Sequence, residues 1–228
     1  MKLALLGYPI AHSLSPKLYQ ELLGAKLVGY DLLEIKNSNL IPSLSQLAGR
    51  YTGISITTPY KKHFFDKVQI DSALVMKLQA INTLSFRASG VFATNTDVIA
   101  VEQILRRSKA QFSNLQLIIL GDGVMAQLTV IVAKSLDLRF KQYSRKNGDN
   151  VEFLNLSDST ECQTMVINCC SRDFIFRGKL HSDFIFWDYN YSFIPHQSTL
   201  PLQVKIYMDG EEMLRLQALA AIQFWSAT

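Results

Sequence analysis

Short apolar runs alternate with amphipathic stretches along nearly the whole chain, and this alternation limits the possible folds more than any other feature. Strand-like runs fall at 2–6, 30–35, 54–57, 116–120, 140–143, 165–168, 184–187 and 204–208. Helical patterns fall between them, at 41–48, 74–79, 98–107, 124–135 and 210–225, with one more opening at Ser15-Pro16. There Ser15 suits an N-cap and Pro16 the first helical position. Residues 81–93 read as a hairpin turning at Ser89-Gly90. Strands spaced by helices are the pattern of parallel sheets covered by helices, so the expected class is α/β.

The chain has 228 residues, enough for one large domain or two small ones. Its first hundred residues already hold several strands, and a strand–glycine turn–helix unit starts only after position 115. This divides it into an N-terminal α/β domain, 1–98 with the returning last helix at 209–228, and a Rossmann-like dinucleotide-binding domain at 99–208. A cleft is expected between the two domains. With 48% hydrophobic and 18% charged residues, the chain can bury a core. A net charge of +4 fits the handling of small anions and gives no nucleic-acid footprint.

Cys162, Cys169 and Cys170 form neither a disulfide framework nor a zinc spacing, and the four histidines are scattered, so no metal is expected. The apolar start is broken by Gly7-Tyr8-Pro9 and reads as a buried strand, not a leader. No apolar run is long enough for a bilayer. A cytoplasmic protein without membrane partners is the expectation.

Gly121-Asp122-Gly123-Val124-Met125-Ala126 follows an apolar strand and opens a helix, the setting a dinucleotide fingerprint requires. Gly121 permits the tight turn, and Gly123 lets backbone approach a pyrophosphate. Ala126 lets the helix lie close to its strand, and the helix N-terminus offers amides to phosphate. Asp122 brings a carboxylate to the same turn. About twenty residues on, where an NAD site keeps an acid, the chain reads Gln142-Tyr143-Ser144-Arg145-Lys146. Two cations and no acid suit a 2′-phosphate, which favours NADP over NAD. A solvated basic turn is the alternative reading.

Thr57-Thr58-Pro59-Tyr60-Lys61 follows the third strand, and Asn95-Thr96-Asp97 follows the hairpin. A lysine and an aspartate meeting there would form a proton-transfer pair. By spacing alone, a surface lysine and a helix-capping aspartate account for them better.

Taken together and in order, these segments resemble the shikimate dehydrogenase family. Ser13-Leu14-Ser15-Pro16 is similar to its Ser-x-Ser-Pro motif. Gly53-Ile54-Ser55-Ile56-Thr57-Thr58-Pro59-Tyr60-Lys61 is similar to Gly-x-Asn-Val-Thr-x-Pro-x-Lys. Ala80-Ile81-Asn82-Thr83, Asn95-Thr96-Asp97, Asp188-x-x-Tyr191 and Asp209-Gly210-x-x-Met213-x-x-x-Gln217 match further family segments. The resemblance implies a two-domain fold and NADP-dependent reduction of 3-dehydroshikimate to shikimate, with Lys61 and Asp97 catalytic. Ser13, Ser15 and Tyr191 would hold the substrate carboxylate; Thr57, Asn82, Asp97 and Gln217 would hold its hydroxyls. Gly121, Gly123, Ala126, Ser144, Arg145, Lys146, Tyr189, Gly210 and Met213 would contact the cofactor. The implied protein is a monomer or homodimer acting on a small molecule. Quinate/shikimate dehydrogenase activity and a non-catalytic shikimate-binding role are the alternatives. The chain departs from the pattern at Ser55 (Asn in the family), at Val98 and Val124 (Gly), at Ser144 (often Asn) and at Cys170 (Thr).

Overall fold

The computed structural model describes residues 1–158 and 161–227. The chain divides into two compact units, Met1–Ile99 with Arg215–Thr228, and Ala100–Leu214. Its elements run β1 (Lys2–Gly7), α1 (Ser15–Leu23), β2 (Gly29–Glu34), α2 (Leu44–Ala48), β3 (Gly53–Ile56), α3 (Ala73–Leu78), β4 (Thr83–Arg87), β5 (Gly90–Thr94) and α4 (Thr96–Gln111). They continue with β6 (Leu115–Leu120), α5 (Val124–Ser135), β7 (Arg139–Tyr143), β8 (Asn155–Leu156), β9 (Gln163–Asn168), β10 (Lys179–Leu180), β11 (Ile185–Asp188), α6 (Ile194–Thr199), β12 (Ile206–Met208) and α7 (Glu211–Ser226).

The first unit is built on a five-stranded sheet ordered β2-β1-β3-β4-β5. β1 pairs parallel with β2 and β3, and only β4 runs the other way. The register sets Leu3 beside Tyr30 and Gly53, and Leu5 beside Ser55. Ser55 in turn faces Thr83, and Thr83 faces Thr94. Opposed residues share a sheet face, because side chains alternate along each strand. Leu3 and Tyr30 lie under α1 and α7, where Tyr19, Leu23, Ala218, Ala221 and Trp225 close an apolar cluster. Gly53 leaves room for the Trp225 indole, and a Cβ there would stand 2.2 Å from it. Each large side chain sealed in this way stabilises the fold by about 1.5–3 kcal/mol.

The second unit has an all-parallel sheet ordered β12-β11-β9-β6-β7, plus the short pair β10-β8. Its core gathers Leu120, Val151, Val166, Phe176, Phe184, Phe186 and Leu200. Nearly continuous apolar strands such as Leu117-Ile118-Ile119-Leu120 suit a sheet covered on both faces. Among the described residues, no helix is long and apolar enough to cross a membrane.

Three local expectations need correction. Ser15 is not an N-cap: α1 begins at Ser15 itself after Leu14, and no side chain caps it. The amide of Ser15 donates instead to the Ser13 hydroxyl at 3.2 Å. The helix expected over 41–48 starts at Leu44, because Ser43 and Gln46 form a capping box there. Gly49 ends it in the right-handed region, so no left-handed turn is needed. The helix expected from 98 begins at Thr96, because side chains take its first free amides. Asn82 Oδ1 accepts from the Thr96 amide at 2.7 Å, and Asn95 Oδ1 accepts from the Asp97 amide at 3.1 Å.

Candidate active site

In the first unit the candidate residues collect at the carboxyl ends of the parallel strands, where ligands bind in open α/β sheets. Ser13 and Ser15 follow β1. Thr57 and Lys61 follow β3. β4 is antiparallel, so its amino end, with Asn82 just before it, lies at the same edge. Asn95, Thr96 and Asp97 leave β5 there as well. The backbone ties these segments together: Ile56 donates to Asn82 O at 2.7 Å, Asn82 to Thr94 O at 3.0 Å, and Ile81 to Lys61 O at 2.8 Å.

Lys61 Nζ donates to Asp97 Oδ2 at 2.6 Å. Their side chains are 14% and 12% exposed, so water and salt screen this pair much less than a surface ion pair. The aspartate backbone is itself fixed. Its amide binds Asn95 Oδ1, and Asn95 Nδ2 is anchored on Ala80 O at 3.0 Å. As an acid in the first turn of α4, Asp97 also meets the favourable end of the helix dipole. The surface-lysine reading of Lys61 therefore fails. It is a largely buried ammonium held by a positioned carboxylate.

Asn82 is 6% exposed, and its Oδ1 accepts from the Thr83 hydroxyl at 2.9 Å as well as from the Thr96 amide. The Thr96 hydroxyl stands 3.2 Å from both Asn82 Oδ1 and Gln217 Oε1. Asn82 and Gln217 are thus brought into one network, with the Asn82 amide nitrogen outside it. Ser13 Oγ donates to Ser15 Oγ at 3.1 Å, forming a half-buried hydroxyl pair. Thr57 is half-buried, and its amide is fixed on Leu6 O at 2.9 Å. Sequence reasoning did not assign Thr83 and Thr96 as the residues that orient Asn82 and Gln217. The signal was present, since the dipeptide Asn-Thr occurs at 82–83 and again at 95–96.

In the second unit, Gly121 has φ +107°, a conformation that favours glycine, and a Cβ would also meet Cys170 Sγ at 3.2 Å. Gly123 is the N-cap of α5, with no side chain capping the helix and open space around its Cα. Gly123 itself has no side chain to cap α5, and backbone can be approached closely there. Ala126 is fully buried. Gln142 Nε2 donates to Gly121 O at 2.8 Å and ties the end of β7 to the turn. Arg145 and Lys146 are exposed just beyond β7, while Asp149 faces inward and accepts from the Ser144 amide at 2.8 Å. Ser144 is 2% exposed, and its hydroxyl caps the local turn by accepting from the Asn147 amide. Burial holds the Cys170 thiol near pKa 11 despite the Arg145 charge, and the Asp122 carboxylate acts in the same direction as burial. Burial raises Cys169 further still, so neither sulfur is a thiolate nucleophile at neutral pH.

Tyr189 is buried, with its hydroxyl 2.7 Å from Thr129 Oγ1. Gly210 is buried against the Tyr189 backbone, where a Cβ would lie 2.3 Å from Tyr189 O. Met213 is half-buried on α7. Tyr191 is half-buried, and its ring lies under Arg172 at 5.5 Å. Among the described residues, no cluster of His, Cys, Asp or Glu is arranged to hold a metal.

Comparison with known proteins matches residues 5–84 to the shikimate dehydrogenase substrate binding domain. A curated relative from Prochlorococcus marinus, a shikimate dehydrogenase (NADP(+)), is 33% identical over 165 residues, covering 68% of this chain and 55% of that protein. One from Clostridium perfringens is 26% identical over 71% of this chain and 64% of its own length. The chain thus spans between about half and two thirds of these relatives. A Clostridium botulinum shikimate dehydrogenase (NADP(+)) aligns over 97% of this chain and 95% of its own length, at 23% identity. Among solved structures, shikimate dehydrogenase from Aquifex aeolicus superposes with a TM-score of 0.77 at 19% identity, covering 100% of this chain and 93% of that one. The Thermus thermophilus enzyme, solved in complex with NADP(H) and shikimate, gives 0.74 at 18% identity, covering 100% and 94%. These likenesses establish a common two-domain α/β fold with a Rossmann-like domain. The matched substrate binding domain over residues 5–84, the relatives along most of this chain's length and the common fold make this chain similar to the shikimate dehydrogenases.

Proposed function

We propose that this protein catalyses the reversible, NADP-dependent reduction of 3-dehydroshikimate to shikimate, a step in aromatic amino acid and chorismate biosynthesis. The observation that carries this reading is the enclosed Lys61–Asp97 pair, with 2.6 Å between Nζ and Oδ2. Residues 1–98 with 209–228 form the substrate domain in this proposal, and 99–208 the nucleotide domain.

In the direction of reduction, Lys61 delivers a proton from Nζ to the carbonyl oxygen. Asp97 keeps the ammonium oriented and balances its charge. In the reverse direction, Lys61 takes the proton from the hydroxyl. The bound nicotinamide nucleotide supplies or accepts the hydride. Ser13 and Ser15 donate to the substrate carboxylate, with Tyr191 as a further contact. Thr57, Asn82, Asp97 and Gln217 pair with ring hydroxyls. A substrate lacking one of those hydroxyls would leave a buried polar group unpaired, which is how such a site discriminates.

The glycine turn fits a pyrophosphate: Gly123, whose missing side chain leaves open space, stands at the N-terminus of α5. Arg145 and Lys146, exposed just beyond β7, take the 2′-phosphate in this reading. Tyr189, Gly210 and Met213 are assigned to the nicotinamide end on family resemblance. Ala126 serves by allowing close helix packing, and the buried Ser144 by capping the basic turn.

The test is Lys61→Ala. Turnover should fall by about 10²–10⁴-fold, the range for losing a positioned proton donor, while shikimate affinity changes little. Near-normal turnover in a folded variant would remove Lys61 from the mechanism.

A further inference from the structure

The lysine–aspartate chemistry leaves unused the most deeply buried carboxylate of the described residues. Asp188 ends β11 and is 0% exposed. Asn168 Nδ2, the Asn190 amide and Asn190 Nδ2 donate to its Oδ1 at 2.9–3.0 Å. Its Oδ2 takes His196 Nδ1 at 2.5 Å and the Tyr207 hydroxyl at 3.4 Å. His196 does not neutralise this charge. Its Nε2 accepts from the Phe176 amide at 2.8 Å, and a backbone N–H can only donate. Nε2 therefore carries no proton, and Nδ1 carries the single proton of a neutral ring. The rings of Phe174, Phe186 and Phe193 pack around it. Among the described residues no lysine or arginine pairs with Asp188. A carboxyl met only by donors is held as the carboxylate, so a full negative charge is buried here. Burying a charge without a counter-charge is costly, and such groups concentrate at functional sites.

The sheet order gives this charge something to face. In β12-β11-β9-β6-β7, the basic turn Arg145-Lys146 follows β7 and the glycine turn follows β6. A dinucleotide laid along the carboxyl ends, with its 2′-phosphate at β7 and its pyrophosphate at β6, brings its other end toward β9, β11 and β12. β11 lies two strands from β6, which is about 10 Å. Asp188 ties those three strand ends together. It reaches β9 through Asn168, and the end of β12 through Asn190, whose carbonyl accepts from the Gly210 amide at 3.4 Å. Its field is felt there: after burial, Asp188 is among the charges that raise both the Cys169 and the Cys170 thiol.

We propose that Asp188, kept anionic by a neutral His196, is the charge partner of the oxidised nicotinamide ring and makes the site favour NADP+ over NADPH. The oxidised ring carries a positive charge that the reduced ring lacks, so only the oxidised form gains from a buried carboxylate. Asp188 touches no reacting atom; it is a positioning residue that acts through its field. The proposal rests on the NADP reading above.

The experiment measures Kd by calorimetry for NADP+, NADPH and 2′,5′-ADP, which lacks the nicotinamide, on the full chain and on Asp188→Asn. At about 10 Å and an effective dielectric constant of about 20, one charge pair is worth about tenfold in affinity. Asp188→Asn should therefore weaken NADP+ about tenfold and leave NADPH and 2′,5′-ADP within about twofold. Equal weakening of NADP+ and NADPH means a merely structural carboxylate and overturns the proposal, as does no change in either. The wild type supplies a reading that needs no variant. It should bind NADP+ more tightly than NADPH, and the reverse preference overturns the proposal even where Asp188→Asn does not fold. Wild type that binds both nucleotides but does not oxidise shikimate overturns the catalytic reading and leaves this test intact. Wild type that binds neither nucleotide overturns this proposal and the NADP assignment together.

Discussion

Lys61 and Asp97 are separated by 36 positions in sequence and 2.6 Å in space, because two strand ends and a hairpin return to the same sheet edge. That convergence encloses an ordinary lysine against a positioned carboxylate. A second buried polar centre has a different character. Asp188 is fully buried, and its Oδ1 accepts from Asn168, from the Asn190 amide and from Asn190 Nδ2 at 2.9–3.0 Å. Its Oδ2 lies 2.5 Å from His196 Nδ1. His196 Nε2 accepts from the Phe176 amide at 2.8 Å, which fixes the imidazole proton on Nδ1, pointing at the carboxylate. His196→Ala strips Asp188 of this donor and leaves a cavity, so the variant should lose about 3 kcal/mol of stability. Denaturant unfolding of the full chain measures this; a loss below about 1 kcal/mol would mean that water substitutes for the ring. Nothing in the sequence singled out His196. A lone histidine in Ile194-Pro195-His196-Gln197 shows no spacing, and its hydrogen-bond partners, Asp188 at the end of β11 and the Phe176 amide before β10, lie 8 and 20 positions away.

At the scale of elements, the apolar strand patterns and the glycine turn were legible because they are local. β6, the turn and α5 fall within a residue of the expected bounds. The shift of α4 to Thr96 was not legible. It depends on Asn82, fourteen positions earlier, supplying an acceptor to the helix start. The two-residue strands β8 and β10 have too little pattern to be read, and they exist only through each other. Within the site, Lys61 and Asp97 were readable as motif members, whereas Thr83 and Thr96, which hold Asn82 and Gln217 in one network, were not. The basic turn after β7 carries its own prediction. Arg145→Ala should raise KM for NADP about tenfold or more, the cost of one charge-assisted contact, and leave KM for NAD within about twofold. Equal effects on both cofactors would remove Arg145 from 2′-phosphate recognition.

For the molecule as a whole, burial of phenols gives stability a dependence on pH. Burial raises Tyr30 from the usual 10 to about 12, and it moves Tyr19 and Tyr207 in the same direction. The folded state therefore holds these protons more tightly than the unfolded chain. The associated stability is complete below pH 10 and is lost as pH rises from 10 toward 12. Thermal midpoints across that window should fall, and they should fall less steeply in Tyr30→Phe; identical slopes would contradict the burial of that hydroxyl.

The most direct measurement mixes purified protein with shikimate or quinate and with NADP or NAD, and follows reduced-nicotinamide absorbance. A rise that requires shikimate, is fastest with NADP and disappears in Lys61→Ala is the expected result. No rise in any combination, from folded protein that binds shikimate, would contradict it and leave a shikimate-binding protein in its place.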